Sequence, residues 1–125
     1  MILDTNAVSS LLAGDQSLGD LLAARTRHHL PTIVIGEYRF GLLRSRHRER
    51  LGHLFSALIR QSNVLAVDQG TAEVYSQVRE ELRAKGRPIP ENDVWIAALA
   101  LQHQLSVVSR DDHFDSVRGL TRLGW

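Results

Sequence analysis

Residues 91–112, ENDVWIAALALQHQLSVVSRDD, contain a complete helix–strand unit that ends in two acidic residues. Apolar side chains dominate residues 91–104, which predicts a strongly apolar helix. Residues 106–108 then form a short apolar strand of the kind that parallel sheets bury on both faces. A helix that leads directly into such a strand is the connecting element of an α/β fold.

The same alternation of helices and short strands recurs on both sides of this unit. We therefore predict an α/β fold with a short, mainly parallel sheet in a three-layer α/β/α arrangement, forming a single domain over residues 1–125. Gly86 is expected just past the end of the fifth helix. The predicted strands are residues 2–3, 32–35, 64–67, 106–108 and 120–123, and the predicted helices are about 6–13, 16–28, 36–46, 47–61, 70–85 and 91–104.

The composition excludes several classes of protein. There is no cysteine, so disulfides and cysteine-based zinc or iron–sulfur sites are ruled out. The net charge is only +1, and Lys85 is the single lysine beside fourteen arginines. A genome rich in G and C would give the same arginine bias, so we do not take the bias as a sign of nucleic-acid binding. We expect a cytoplasmic protein without a signal peptide or a membrane span.

Acidic residues follow several of the predicted strands. Ligands of parallel sheets bind beyond the carboxyl ends of the strands, so side chains at these positions are expected to meet at one edge. Asp68 also ends a predicted strand, and this rule alone does not choose among the candidates. The other acidic residues that map to this edge come from distant parts of the chain: Asp4, Glu37, Asp93, Asp111 and Asp112.

Each of these carboxylates taken singly also has a structural interpretation, as a helix cap, a favourable charge near a helix N-terminus or part of a turn. A group of such carboxylates at one edge also needs positive charge or protons to offset their mutual repulsion. Two carboxylates about 4 Å apart repel by ~4 kcal/mol at an effective dielectric of about 20. Protons, arginine or a metal ion must neutralise such a cluster, and hard divalent cations with oxygen ligands do this well. The pattern therefore indicates a divalent-metal site.

Four segments of the chain resemble the conserved blocks of the PIN-domain nucleases, and among them of the VapC toxins. The four blocks occur in order and cover almost the whole chain. In the second block an acidic residue precedes a Gly four positions later, and in the fourth Ser109 replaces the usual Thr. The segments are residues 2–6 (ILDTN), 34–41 (VIGEYRFG), 92–98 (NDVWIAA) and 107–114 (VVSRDDHF).

The resemblance implies an acidic quartet that binds Mg²⁺ or Mn²⁺ and catalyses the hydrolysis of RNA. The implied quartet is Asp4, Glu37, Asp93 and Asp111. Asp112 stays open as the fourth acidic ligand, although Asp111 is preferred because it falls two residues after Ser109. Other residues are implied in supporting positions, with hydrogen bonds within the site expected from the Asn and Ser side chains: Thr5, Asn6, Asn92 and Ser109.

The resemblance also implies partners, namely an RNA substrate, a cognate antitoxin protein, and a homodimer or a hetero-oligomer with that antitoxin. Two alternatives stay open: a catalytically silent PIN-like module that binds RNA or protein, and a stand-alone RNA-processing nuclease. A phosphatase or phospho-receiver that uses an Asp nucleophile would need a lysine at a strand end, and Lys85 lies elsewhere.

Two arginines are candidates for contact with substrate phosphate. Arg110 neighbours the predicted acidic site, and Arg39 belongs to an arginine-rich stretch of the middle helices that is otherwise interpreted as a solvated face. His113 follows Asp111 closely and is expected to be an exposed turn residue rather than a contact of the substrate.

Overall fold

A five-stranded, fully parallel sheet forms the centre of the computed structural model, which describes residues 1–25 and 27–125. The strands are β1 (Ile2–Leu3), β2 (His29–Pro31), β3 (Asn63–Leu65), β4 (Val107–Val108) and β5 (Arg122–Leu123). The helices are α1 (Thr5–Leu12), α2 (Gln16–Ala23), α3 (Thr32–Leu42), α4 (Arg48–Arg60), α5 (Gln69–Ala84) and α6 (Glu91–His103), and a 3₁₀ helix spans Asp112–Ser116.

The strand order, β3-β2-β1-β4-β5, determines where a ligand can bind. The chain runs outward from β1 through β2 to β3, and it then returns to the other side of β1 to form β4 and β5. The order therefore reverses between β1 and β4. In open parallel sheets the connections on either side of such a point diverge and leave a crevice at the carboxyl ends of the two strands. Asp4 follows β1, and Ser109 follows β4.

The core is formed where helix α6 and the two central strands pack together. The side chains of β1 and β4 are completely buried, which requires helices on both faces of the sheet, as the three-layer prediction demanded. Helix α6 buries almost every residue from Val94 to Ala100. Its first turn is thereby held rigidly at the sheet edge. Gly86 follows the last residues of α5 with φ 65°, the left-handed conformation expected of that position.

The prediction for residues 32–35 was wrong, because these residues form the first turn of α3 and the second strand lies at His29–Pro31. The run Thr32-Ile33-Val34-Ile35 is β-branched and favours a strand locally. Val34, Tyr38 and Leu42 are nevertheless buried at a spacing of four residues, so packing selected the helix. Glu37 consequently lies in the second turn of α3 and does not follow a strand.

The other element boundaries differ mainly at helix ends. The predicted helix 36–46 ends at Leu42, and the predicted helix 16–28 ends at Ala23. Part of that second prediction, Thr26, lies outside the described residues. The remaining strands and helices occur close to the predicted positions, and terminal differences of a few residues are expected because helix ends have unpaired backbone groups.

Candidate active site at the carboxyl ends of β1 and β4

Asp4 lies at the end of β1 and is almost completely buried, with 4% of its surface exposed. It occupies the N-cap position of α1, but its side chain makes no capping hydrogen bond to that helix. Instead its Oδ2 atom accepts hydrogen bonds from Ser109 Oγ at 2.8 Å and from Asn6 Nδ2 at 3.2 Å. The capping interpretation therefore does not account for this carboxylate.

Ser109 and Asn6 join the ends of the two central strands. The fully buried Ser109 hydroxyl, which donates to Asp4, accepts a hydrogen bond from the backbone N–H of Asp111 at 2.9 Å. Asn6 Nδ2 lies 3.1 Å from Ser109 Oγ, and Asn6 Oδ1 accepts from the backbone N–H of Arg110 at 3.1 Å. These contacts fix the position of Asp4 relative to the loop that carries Asp111.

Asp93, Asp111 and His113 form a second group that adjoins Asp4. Asp93 lies in the first turn of α6 and is 9% exposed, and Asp111 precedes the 3₁₀ helix. His113 Nδ1 lies 2.8 Å from Asp111 Oδ1 and 3.3 Å from Asp93 Oδ2. One ligand atom from each of the three residues lies within 4.8 Å of the other two. The group can therefore surround a single cation.

Glu37 reaches the same region from helix α3. Its Oε1 atom accepts a hydrogen bond from Thr5 Oγ1 at 2.9 Å, so the residue next to Asp4 holds the Glu37 carboxylate. The charge of Glu37 is close enough to raise the pKa of Asp4. All four predicted acidic residues thus lie together, although they come from four different elements or loops.

Burial and the neighbouring charges raise the pKa of two of these carboxyl groups, Asp4 and Asp93. Burial is the main cause of the raised pKa of Asp4, and the charges of Glu37 and Asp111 add to it. Burial followed by the charge of Asp4 raises the pKa of Asp93 from 3.8 to about 6. The hydrogen bond that the His113 ring donates to Asp93 raises the pKa of His113, with a further contribution from the charge of Asp111.

The donor set fits a hard divalent cation. Among residues 1–25 and 27–125, no lysine or arginine forms an ion pair with any of the four carboxylates. His113 is the one basic side chain in that part of the chain that contacts them, through Asp93 and Asp111. Clustered carboxylate oxygens that have no lysine or arginine partner are ligands that Mg²⁺ and Mn²⁺ accept, and the His113 nitrogen is the remaining donor.

Asp68 and Asp112 are separated from this cluster. Asp68 lies at the start of α5, beyond the edge strand β3, and forms a capping box with Thr71. Its carboxylate also accepts a hydrogen bond from Gln102 Nε2 at 2.9 Å. Asp112 is exposed at the start of the 3₁₀ helix and lines a neighbouring cleft of about 650 Å³. Asp68 is therefore explained by its role as the N-cap of α5. Of the pair Asp111 and Asp112, it is Asp111 that adjoins Asp93.

The two arginines proposed as phosphate contacts are engaged elsewhere. Arg110 forms an ion pair with Asp15 at 3.1 Å, and its guanidinium lies 4.7 Å from the centre of the Trp125 ring. Arg39 lies two residues after Glu37 and therefore points to the opposite side of α3. It donates to Ser56 Oγ at 3.1 Å on α4. The structure thus turns Arg39 away from the acidic cluster.

Asn92 and His113 also differ from their predicted placement. Asn92 is exposed, and no hydrogen bond among the described residues involves its side chain. His113 is partly exposed, as expected of a turn residue, but its ring contacts both Asp93 and Asp111. The signal that could have identified it is the short spacing Asp-x-His after a strand, because a tight turn places such side chains side by side.

No helix in the part of the chain that the structure describes is long and apolar enough to cross a membrane.

The family model and similar characterised proteins identify the same family. The family model described as PIN domain matches residues 1–120. Ribonuclease VapC5 of Mycobacterium tuberculosis is 30% identical over 122 residues, which are 94% of this chain and 87% of that protein. Toxin FitB of Neisseria gonorrhoeae is 28% identical and covers 89% of this chain, with 87% of FitB covered.

Solved structures agree with this result. The DNA-bound VapBC of Salmonella typhimurium matches with a TM-score of 0.90 and 27% identity, covering 99% of this chain and 96% of that chain. VapBC-5 of Mycobacterium tuberculosis matches with a TM-score of 0.75 and 25% identity, covering 98% and 94%. The predicted fold is confirmed, and the chain belongs to the PIN-domain family, in its VapC group.

Proposed function

We propose that this protein is a divalent-metal-dependent endoribonuclease of the VapC type and the toxin of a toxin–antitoxin pair, with residues 1–125 acting as a single nuclease domain. One observation carries the proposal. Asp4, Glu37, Asp93 and Asp111 lie near the point where the strand order reverses, and no arginine or lysine in the described ranges forms an ion pair with them. The names of the relatives, ribonuclease VapC5 among them, support a nuclease.

In this proposal, Asp4, Asp93 and Asp111 hold Mg²⁺ or Mn²⁺, with Glu37 beside them. The ion, when bound, lowers the pKa of water and stabilises negative charge on the phosphate. Hydrolysis joins the water oxygen to phosphorus and breaks one P–O bond, and the departing ribose oxygen receives a proton. The protein must therefore position the water, accept its proton and hold the phosphate in line with the attacking water.

The side chains around the cluster are suited to these tasks. Thr5 holds Oε1 of Glu37, and no hydrogen bond among the described residues uses Oε2, so Oε2 is available to orient a water and accept its proton. Ser109 and Asn6 hold Asp4 Oδ2 in one orientation. Because these contacts exist before substrate binds, little ordering remains to be done during the reaction.

Exposed apolar side chains around α3 support a protein partner. Phe40 on α3 and Leu43 just after it are 60% and 70% accessible and share a cleft with Arg39, and α4 exposes Leu54. An apolar cleft of about 300 Å³ adjoins Glu37 and is lined by residues such as Tyr38 and Leu42. We infer that an antitoxin covers this surface, as the VapBC complexes among the structural relatives suggest, and that the toxin forms a homodimer or a hetero-oligomer with it. A cytoplasmic location follows, because the RNA substrate is found there.

Cleavage of RNA by the purified protein tests the enzyme. We expect cleavage with Mn²⁺ or Mg²⁺, loss of cleavage with a chelator, and loss by at least about a hundredfold in Asp4→Asn and Asp93→Asn. Asp20→Asn is the control, since Asp20 is exposed on α2 and bonds only to Gln16 within the described residues. RNA binding without cleavage by the wild type would instead indicate a silent binding module.

Expression in cells tests the toxin assignment. The chain alone is expected to arrest growth, and co-expression with the neighbouring small gene is expected to restore it. Cleavage without growth arrest, and without inhibition by a neighbouring gene product, would indicate a stand-alone RNA-processing nuclease.

A further inference from the structure

The imidazole of His113 lies at the rim of the acidic cluster and contacts two of its carboxylates. Its Nδ1 atom is within 3.3 Å of one carboxylate oxygen from Asp93 and within 2.8 Å of one from Asp111. A neutral imidazole has one ring N–H and can donate it to only one of these oxygens. With the nitrogen unprotonated, His113 Nδ1 and the two carboxylate oxygens can all bind the same cation.

The position of His113 is fixed by the fold. The backbone N–H of His113 donates to Asp111 Oδ1 at 3.0 Å, so the same carboxylate that faces the ring also closes the turn below it. Phe114, the next residue, is completely buried and anchors the 3₁₀ helix in the core. The backbone of His113 is therefore held beside Asp93 and Asp111, within reach of both carboxylates for its ring.

The two distances at His113 Nδ1 are compatible with ligands that share one ion. Ligands bound at about 2.1 Å are about 3 Å apart when adjacent and about 4.2 Å apart when opposite. The two N–O separations of 2.8 and 3.3 Å are close to the spacing of adjacent ligands, and all separations among the three atoms are at most 4.8 Å. Small side-chain movements would therefore bring all three atoms onto one ion.

We propose that His113 Nδ1 is a direct ligand of the catalytic ion and that it makes the site prefer Mn²⁺ to Mg²⁺; this rests on the proposed function. Mg²⁺ favours oxygen ligands and retains its waters, whereas imidazole suits the transition metals. Removing the nitrogen leaves an all-oxygen site, which weakens Mn²⁺ binding more than Mg²⁺ binding. His113 is therefore a residue that determines metal specificity.

Binding of each metal to the RNA-free protein tests the proposal. Calorimetry with Mn²⁺ and with Mg²⁺ is carried out on the wild type, on His113→Ala, and on His53→Ala, whose histidine is exposed on α4. We expect His113→Ala to weaken Mn²⁺ binding by at least about tenfold and Mg²⁺ binding by less than about threefold. His53→Ala is expected to match the wild type for both metals.

Pulsed electron paramagnetic resonance of the bound Mn²⁺ then separates ligation from a merely structural role. The wild type and His53→Ala are expected to show coupling from a directly bound nitrogen, and His113→Ala is expected to lack it. Mn²⁺ binding and RNA cleavage without this coupling, or equal weakening of both metals, would overturn the role of His113 and leave the nuclease intact. Absence of Mn²⁺ binding in the wild type would overturn this inference and the proposed metal centre together.

Discussion

Replacing Asp93 by Asn should stabilise the metal-free protein at neutral pH. Asp93 is buried beside Asp4, and burial and that neighbouring charge raise its pKa to about 6. A carboxyl group with a raised pKa holds its proton more tightly in the folded state than in the unfolded chain. The folded protein therefore loses stability as the pH rises from about 4 through about 6, because ionisation there is costlier than in water. Asparagine has nearly the same shape and never ionises.

The magnitude follows from the pKa of Asp93. The ordinary value is 3.8 and the value in the fold is about 6, and each pKa unit is worth about 1.4 kcal/mol, which gives an upper bound of about 3 kcal/mol. Solvent screening and coupling to the other carboxylates reduce this, so we expect a gain of about 1–2 kcal/mol at pH 7.5. That gain corresponds to a rise in Tm of roughly 4–8 °C.

Urea denaturation between pH 4 and 8, with a chelator present, measures this effect. The free energy of unfolding of Asp93→Asn should exceed that of the wild type above pH 6, and the two should converge near pH 4. Asp20→Asn should stay within about 0.5 kcal/mol of the wild type throughout. Mn²⁺ at a hundred times its dissociation constant should reverse the order, because it stabilises only a protein that binds it, by about 2.7 kcal/mol. A metal-free Asp93→Asn protein no more stable than the wild type at pH 7.5 would refute the charge-cluster argument.

Three further predictions concern the acidic cluster, the Ser109 hydroxyl and the end of α6. Asp111→Asn should reduce RNA cleavage by at least about a hundredfold and Asp112→Asn by less than about threefold, because only Asp111 adjoins Asp93; equal losses would contradict this assignment. Ser109→Ala should lower the unfolding free energy by about 1–3 kcal/mol and cleavage by about tenfold or more, whereas Ser109→Thr keeps the hydroxyl and most of the activity, as paired urea and cleavage assays would show. Gln104→Gly should raise the unfolding free energy by about 0.5–1 kcal/mol, because Gln104 ends α6 with φ 56°; calorimetry showing a loss would disprove backbone strain there.

Local pattern was sufficient to predict the fold class and most of the elements. The apolar helix before Val107-Val108 and the repeated helix–strand alternation required a parallel sheet. Asp4 and Asp93 could be expected at its carboxyl edge, because a strand end and a helix start are visible in the sequence. Glu37, Asp111 and Asp112 were also candidates from their positions along the chain, and the family motifs selected Glu37 and favoured Asp111 over Asp112.

The segment around Glu37 shows where local pattern fails. The β-branched run at residues 32–35 favours a strand, and only burial of Val34, Tyr38 and Leu42 on one side made it a helix. Glu37 still reaches Thr5, because α3 packs against α1. Its proximity to the cluster thus depends on the packing of two helices that are distant in sequence.

The sequence by itself determined the alternation of elements, the apolar core and the set of acidic candidates, because period, burial and turn preferences are encoded by near neighbours. The tertiary structure alone decided the strand order, and with it the crevice between β1 and β4 and the exclusion of Asp68 at the far edge. It also paired Arg110 with Asp15 and placed the His113 ring between two carboxylates. Such contacts depend on which distant segments pack together, and that is settled only when the whole core forms.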